Sequence, residues 1–289
     1  MTEVLMSFCN VAPDLPPLGI IDMDHPRLRY VTLPDFGRPV NGATGICWLD
    51  AQIAVVLQHD AGETGLLLIA PQWRSLSYYP LRAVLDGHSA IAIGDELFVV
   101  STGTNSLIRL RFTTQGTIDE DLAWASDQTL GPVHLNSLAT VHNDVLVSCF
   151  GVQHTLGWQH TREGCVINTR TDAIILSPLY HPHSLMPIQG GFLVAESGTG
   201  TLWQYHDDLH AAQLHRVVHG YLRGLQANED RIFAGVSRMR RTSRSRGTAT
   251  SHPGSVMDAC LLALTPDMTV VQKIDLPKEV AEIYDLLLL

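Results

Sequence analysis

Positive charge is scarce in this chain: 19 Lys and Arg stand against 29 Asp and Glu, a formal net charge of -10. So acidic a sequence has little with which to neutralise phosphates, which excludes a general nucleic-acid binder and disfavours an anionic membrane surface. Long hydrophobic runs are missing as well. The longest, such as Leu66 to Pro71 and Leu286 to Leu289, fall far short of the roughly 18 residues that a membrane-spanning helix needs. The opening Met-Thr-Glu-Val has neither the basic start nor the apolar core of a signal peptide. Cysteine is sparse, with five residues at 9, 47, 149, 165 and 260 and no Cys-x-x-Cys pair, so neither a disulfide framework nor a thiolate zinc site is expected. Also absent are Gly-x-Ser-x-Gly and Gly-x-x-x-x-Gly-Lys, the usual marks of an α/β-hydrolase nucleophile and of a phosphate loop. These absences together predict a cytoplasmic protein with no nucleotide cofactor, no nucleic-acid partner and no membrane partner.

What the chain does have is apolar content, 45% hydrophobic against 17% charged, enough to bury a core and to exclude intrinsic disorder. It also has a repeat. Thr44-Gly-Ile-Cys-Trp-Leu, His88-Ser-Ala-Ile-Ala-Ile, Asn136-Ser-Leu-Ala-Thr-Val, His183-Ser-Leu-Met-Pro-Ile and Arg223-Gly-Leu-Gln-Ala-Asn each begin a strand, turn and strand in one frame. Their starts are spaced by 44, 48, 47 and 40 residues, the size of a four-stranded propeller blade. Gly103-Thr104-Asn105 and Gly198-Thr199-Gly200 then supply hairpin turns into third strands. A sixth copy is split across the termini, with Glu282 to Leu289 as inner strand and Glu3 to Cys9 as the second. The expected fold is therefore all-β: a single-domain, six-bladed β-propeller over residues 1–289. Its blades run approximately over 282–289 plus 1–43, 44–87, 88–135, 136–182, 183–222 and 223–281.

Several of these segments resemble an uncharacterised bacterial family of conserved hypothetical proteins that carry a domain of unknown function. The matching residues are Asp86-Gly-His-Ser, His134-Leu-Asn-Ser-Leu-Ala, Gly157-Trp158, Pro182-His183-Ser184, Ser197-Gly-Thr-Gly-Thr-Leu, Gly220-Tyr-Leu-Arg-Gly-Leu, Gly235-Val-Ser-Arg and Glu282-Ile-Tyr-Asp. The family's first motif runs from the histidine into an acidic residue, where this chain has Ser89, so no role for that acid carries over. The resemblance implies a propeller and no particular reaction. Propellers include both metal-dependent hydrolases and pure binding modules.

In a propeller the first residues of the inner strands converge near one mouth of the central channel, which here means Thr44, His88, Asn136, His183, Arg223 and Glu282. His134 and Tyr284 lie two residues away along their strands, on the same face. Two imidazoles and a carboxylate, His88, His183 and Glu282, form a ligand set for a divalent metal such as Zn, Mn or Fe. Arg223 would clamp a small anionic molecule, with Asn136, Thr44 and Trp158 as further substrate-binding groups. His134 and Tyr284 join Arg223 as catalytic candidates. Together they point to a metal-dependent enzyme of hydrolase, lyase or isomerase type. A non-haem iron oxygenase using two histidines and one carboxylate is one alternative. A non-catalytic scaffold or small-ligand sensor, open to a protein partner or homo-oligomer, is the other.

Other polar features have plainer readings. Glu282 and Arg223 could simply pair to close the ring, and His206, His210, His215 and His219 read as solvated surface. His181, before Pro182 in an extended segment, is expected only to flank the channel. The arginine-rich stretch Ser237 to Val256 reads as a solvated insertion or as a lid attracting an anion.

Overall fold

The computed structural model describes residues 2–70, 73, 75–127, 129, 131–207, 211–217, 220–238 and 258–289. The arginines at 240, 241, 244 and 246, together with His210 and His219, lie outside the described residues. The chain divides into two compact units, residues 1–126 with 282–289 and residues 127–281. Six four-stranded antiparallel sheets, three in each unit, are the blades of a six-bladed β-propeller.

The first unit contains β1 (Glu3–Phe8), β2 (Leu18–Asp22) and β3 (Leu28–Tyr30), then β4 (Gly42–Leu49), β5 (Gln52–Gln58), β6 (Glu63–Ile69) and β7 (Leu76–Leu85). It continues with β8 (Gly87–Ile93), β9 (Glu96–Ser101), β10 (Ser106–Phe112) and β11 (Ile118–Ala125). The second contains β12 (Leu135–Val141), β13 (Asp144–Cys149), β14 (Gly164–Asn168), β15 (Ile174–Leu179), β16 (Pro182–Ile188), β17 (Gly191–Glu196), β18 (Thr201–His206) and β19 (Ala211–Arg216). Its last blade is β20 (Tyr221–Ala227), β21 (Ile232–Ser237), β22 (Cys260–Leu264) and β23 (Val270–Asp275). The C-terminal strand β24 (Ile283–Leu288) returns to pair with β1, Val4 opposite Leu288, so the first blade is split across the termini as the repeat requires. Among the described residues no helix is long and apolar enough to cross a membrane.

Burial explains the strand patterns. Second strands such as β5, β17 and β21 are apolar almost throughout because both their faces are packed, and β17 and β21 are buried at every residue. Outer strands such as β11 and β23 mix exposed and half-buried residues. Core clusters form between sheets within a unit. Leu193, Leu202, Leu222, Val236 and Leu262 pack together in the second unit, and Val56, Leu66, Leu97, Val99 and Leu110 in the first.

One irregularity recurs in all six blades. The pairing of inner with second strand slips between Ala43 and Ile46, Gly87 and Ala90, Leu135 and Leu138, His183 and Leu185, Arg223 and Leu225, and opposite Ser7 and Phe8. Such a bulge sets extra residues against one partner and re-aims their side chains. Thr44, His88 and Asn136 sit inside it, while His183 and Arg223 are the last paired residues before it. On β24 that last paired residue is Ile283 and the extra one Tyr284, which leaves Glu282 one position earlier.

Candidate functional site

Bulges need their polar groups satisfied, and neighbouring inner strands do this for one another. In the second unit Ser137 Oγ accepts from Leu185 N–H at 3.1 Å and Ser184 Oγ from Gly224 N–H at 2.6 Å. In the first, Thr44 Oγ1 donates to the Gly87 carbonyl at 2.9 Å, and Asp285 Oδ2 accepts from Ile46 N–H at 3.2 Å. Thr44 thus ties β4 to β8.

Within the second unit the bulge region carries a cage of rings. Phe150, directly after β13, is stacked on His181 at 4.5 Å between centroids and tilted against His134 at 4.3 Å. His183 meets it edge-on at 5.2 Å. Trp158, on a short 3-10 turn between β13 and β14, covers His134 at 5.1 Å, and Tyr221 meets His183 edge-on at 5.3 Å. Over the Tyr221 ring, at 4.9 Å from its centroid, lies the guanidinium of Arg223. The Arg223 cation is thereby held against an aromatic face beside the imidazoles.

Hydrogen bonds assign the tautomers. His183 Nδ1 is 3.0 Å from the His181 carbonyl, which can only accept, so Nδ1 carries the proton and Nε2 the lone pair. Ser197 Oγ, 2.8 Å from the same nitrogen, donates its own proton to the Leu222 carbonyl. His181 is the reverse: Nε2–H donates to the Trp158 carbonyl at 2.7 Å, and Nδ1 accepts from Tyr221 Oη at 3.1 Å. Both rings are held uncharged. Burial pushes His181 down to about 4, with the charges of Arg223 and Arg162 adding to it. Burial, followed by the Arg223 charge, holds His183 well below the ordinary histidine range.

His181 is not in the extended conformation expected of a residue before proline. Its φ is 53°, in the left-handed region, and its carbonyl accepts from both His183 Nδ1 and Ser197 N–H. Those two bonds outweigh the local preference. His134 and Asp86, each two residues before Asn136 and His88, share the left-handed φ.

In the first unit His88 repeats the His183 arrangement, Nδ1 donating to the Asp86 carbonyl at 2.8 Å. Its ring meets Tyr284 edge-on at 5.4 Å. Glu282 is buried, with Oε2 at 3.4 Å from both Cys9 Sγ and Asn10 Nδ2. Thus His88, Tyr284, Glu282 and Thr44 belong to the first unit, and His134, Asn136, Trp158, His183 and Arg223 to the second. Among the described residues no three His, Cys, Asp or Glu side chains are grouped so as to hold a metal ion. Sequence reasoning missed Phe150, Tyr221 and Ser197. Tyr221 had a visible signal, since it lies two residues before Arg223 on the same strand face.

The comparisons with known proteins agree with this fold. The family model described as a domain of unknown function, DUF4915, matches residues 84–289. No curated protein matches the sequence. Among solved structures, a protein of unknown function from Bacteroides caccae is similar at TM-score 0.67 and 12% identity, over 99% of this chain and 98% of that one. A luciferin-regenerating enzyme is similar at TM-score 0.59 and 10% identity, over 81% and 76% of the two chains. A putative 6-phosphogluconolactonase from Bacteroides uniformis is similar at TM-score 0.54 and 8% identity, over 100% and 99%. At these identities the likeness is one of fold.

Proposed function

The chain belongs to the DUF4915 family, and from that premise we propose that it is an enzyme acting on a small organic anion, a carboxylate or phosphate ester, bound by Arg223 in the cage of its second unit. One observation carries the reading. The Arg223 charge acts on both His181 and His183 and helps to keep them neutral. A guanidinium held over the Tyr221 ring beside two uncharged imidazoles offers the forked donors that match a carboxylate or phosphate. Trp158, Phe150 and Tyr221 supply apolar faces for the rest of the ligand. His183, its Nδ1–H tied to the His181 carbonyl, is a ring of fixed orientation in this cage, and the reactions proposed for the bound anion are of isomerase, lyase or hydrolase type. Two fold neighbours bear enzyme names, the luciferin-regenerating enzyme and the putative 6-phosphogluconolactonase, which makes catalysis the reading to test. The test is a thermal-shift and calorimetric screen of oxoacids, hydroxy acids and sugar phosphates against the wild type and Arg223→Gln. A ligand whose affinity falls at least tenfold in the variant supports the reading; equal affinity in both overturns it.

A second reading, a divalent metal taken by imidazole Nε2 atoms, is favoured by one feature. His88 and His183 both donate Nδ1–H to the carbonyl two residues earlier, the kind of outer bond that fixes ligating histidines. Elemental analysis of untagged protein with His88→Ala and His183→Ala tests it: metal bound by the wild type and lost on replacing either histidine is the supporting result, and no bound metal overturns it.

A further inference from the structure

Cys149 closes β13 and Cys165 lies at the start of β14, where the two are direct cross-strand partners. Both are buried, and their sulfurs are 3.2 Å apart as free thiols. Facing residues on antiparallel strands have Cα atoms about 4.5 or 5.5 Å apart, inside the range of about 4.4 to 6.8 Å that a disulfide spans. The strands therefore place the pair within reach of a disulfide, with the sulfurs still about 1 Å farther apart than the bond requires. The two sulfurs are also unequal. Either thiol can be the donor across the contact, but Cys149 also receives a bond from Gly151 N–H, and these bonds favour its thiolate against the opposing effect of burial. Cys165 is pushed the other way by its neighbour and by burial. Elsewhere, burial holds Cys47 and Cys260 protonated, at about 12 and about 11. Cys149 is thus the better nucleophile of the pair.

We propose that Cys149 and Cys165 form a reversible thiol–disulfide site for a peroxide oxidant, and that closing it repositions Phe150, the next residue, against His181 and His183. The Cys149 thiolate attacks one peroxide oxygen, so that an S–O bond forms, the O–O bond breaks, and hydroxide leaves to be protonated to water. The Cys165 sulfur then attacks the Cys149 sulfenic acid; the S–S bond forms, the S–O bond breaks, and hydroxide departs with the Cys165 proton as a second water. Two thiols are oxidised and one peroxide is reduced. In this proposal, drawing two sulfurs from 3.2 Å contact to a bond of about 2.05 Å is taken up in part at the β13 end, to which Phe150 is attached. Because Phe150 packs on His134, His181 and His183, the change is transmitted to those rings.

The test uses the full chain treated with hydrogen peroxide, then denatured and alkylated. Expected is the loss of two hydrogens from the intact mass, a cross-link between peptides containing Cys149 and Cys165, and reversal by dithiothreitol. Cys165→Ala and Cys149→Ser should lose the cross-link, and the wild-type cross-link stands as evidence even if a variant does not fold. The ring-proton resonances of His181 and His183 should shift on oxidation and return on reduction. Cys149 and Cys165 both still alkylatable after peroxide, sulfinic acid at Cys149 with Cys165 unchanged, or a disulfide that leaves both histidine spectra unmoved would each overturn the proposal. None of these readouts depends on the anion reading.

Discussion

His183 donates its Nδ1–H to the carbonyl oxygen of His181 at 3.0 Å, so the ring of His183 is fixed in part by the backbone of His181. The hydrogen bonds give them opposite tautomers, Nδ1–H in His183 and Nε2–H in His181. Long-range nitrogen–proton NMR at pH 7 is expected to find that pairing. Tyr221→Phe removes the phenol that donates to His181 Nδ1 and should shift that nitrogen's resonance while both tautomers persist, each held by the carbonyl to which it donates.

Because burial lowers His181 to about 4, the unfolded chain takes up a proton near the ordinary value of about 6.5 that the folded chain refuses. Between those values the unfolded state binds more protons, so stability rises with pH and is lost as pH falls from about 6.5 towards 4. The whole span is worth on the order of 3 kcal/mol at most. Denaturant unfolding at pH 7 and pH 4.5 should show the loss, and His181→Gln should shrink it.

Asp285 has the opposite sign. Burial raises its carboxyl to about 7, against the pull of hydrogen bonds from Leu286 and Ile46 N–H. From about pH 4 to about pH 7 the folded state holds the extra proton, and stability therefore falls as pH rises through that window. Asp285→Asn cannot ionise, so its stability should be flat there apart from other groups. The variant also presents an amide where two N–H groups donate, at a cost of roughly 1 to 2 kcal/mol at pH 5.

How much of this was visible in the chain follows from where the information resides. The blade count, the hairpins after Gly103 and Gly198 and the closure of β24 on β1 were legible because period and turn chemistry are local. The inner positions 44, 88, 136, 183 and 223 were legible for the same reason, being starts of a repeat. The bulge was not, since it arises from cross-strand pairing that no single segment encodes. It therefore leaves Ile283, rather than Glu282, as the counterpart of His183. Phe150 was invisible because a lone phenylalanine after a strand looks like core, and only packing places it on three histidines. The protonation of His181 depends on burial and on the Arg223 charge, which are properties of the folded state.

Ser184→Ala tests whether the bulge positions the anion clamp. Ser184 Oγ accepts from Gly224 N–H at 2.6 Å, and Gly224 is the extra residue directly after Arg223. Without the hydroxyl that N–H loses its partner, costing roughly 1 to 2 kcal/mol of stability. Arg223 should then lose its fixed place over Tyr221, so anion affinity is expected to drop several-fold although Ser184 makes no ligand contact in this scheme. Unchanged affinity alongside lowered stability would confine Ser184 to a structural role.

Gly45 provides the most severe steric test. A Cβ there would come within 2.4 Å of Ala90 N, 2.6 Å of the His88 carbonyl oxygen and 2.7 Å of Ser89 C. All three are backbone atoms of β8, which cannot swing aside as a flexible side chain could. Gly45→Ala must push β4 and β8 apart, so the expected loss is about 3 kcal/mol or more, the upper end for overpacking. Gly94→Ala is the control. Gly94 has φ of 64° with nothing within 4 Å of its would-be Cβ, so only the left-handed conformation is penalised, by about 1 kcal/mol. Chemical denaturation of both variants separates the cases, and a spectroscopic change at His88 in Gly45→Ala alone would show that the close approach of these two strands sets the position of that imidazole.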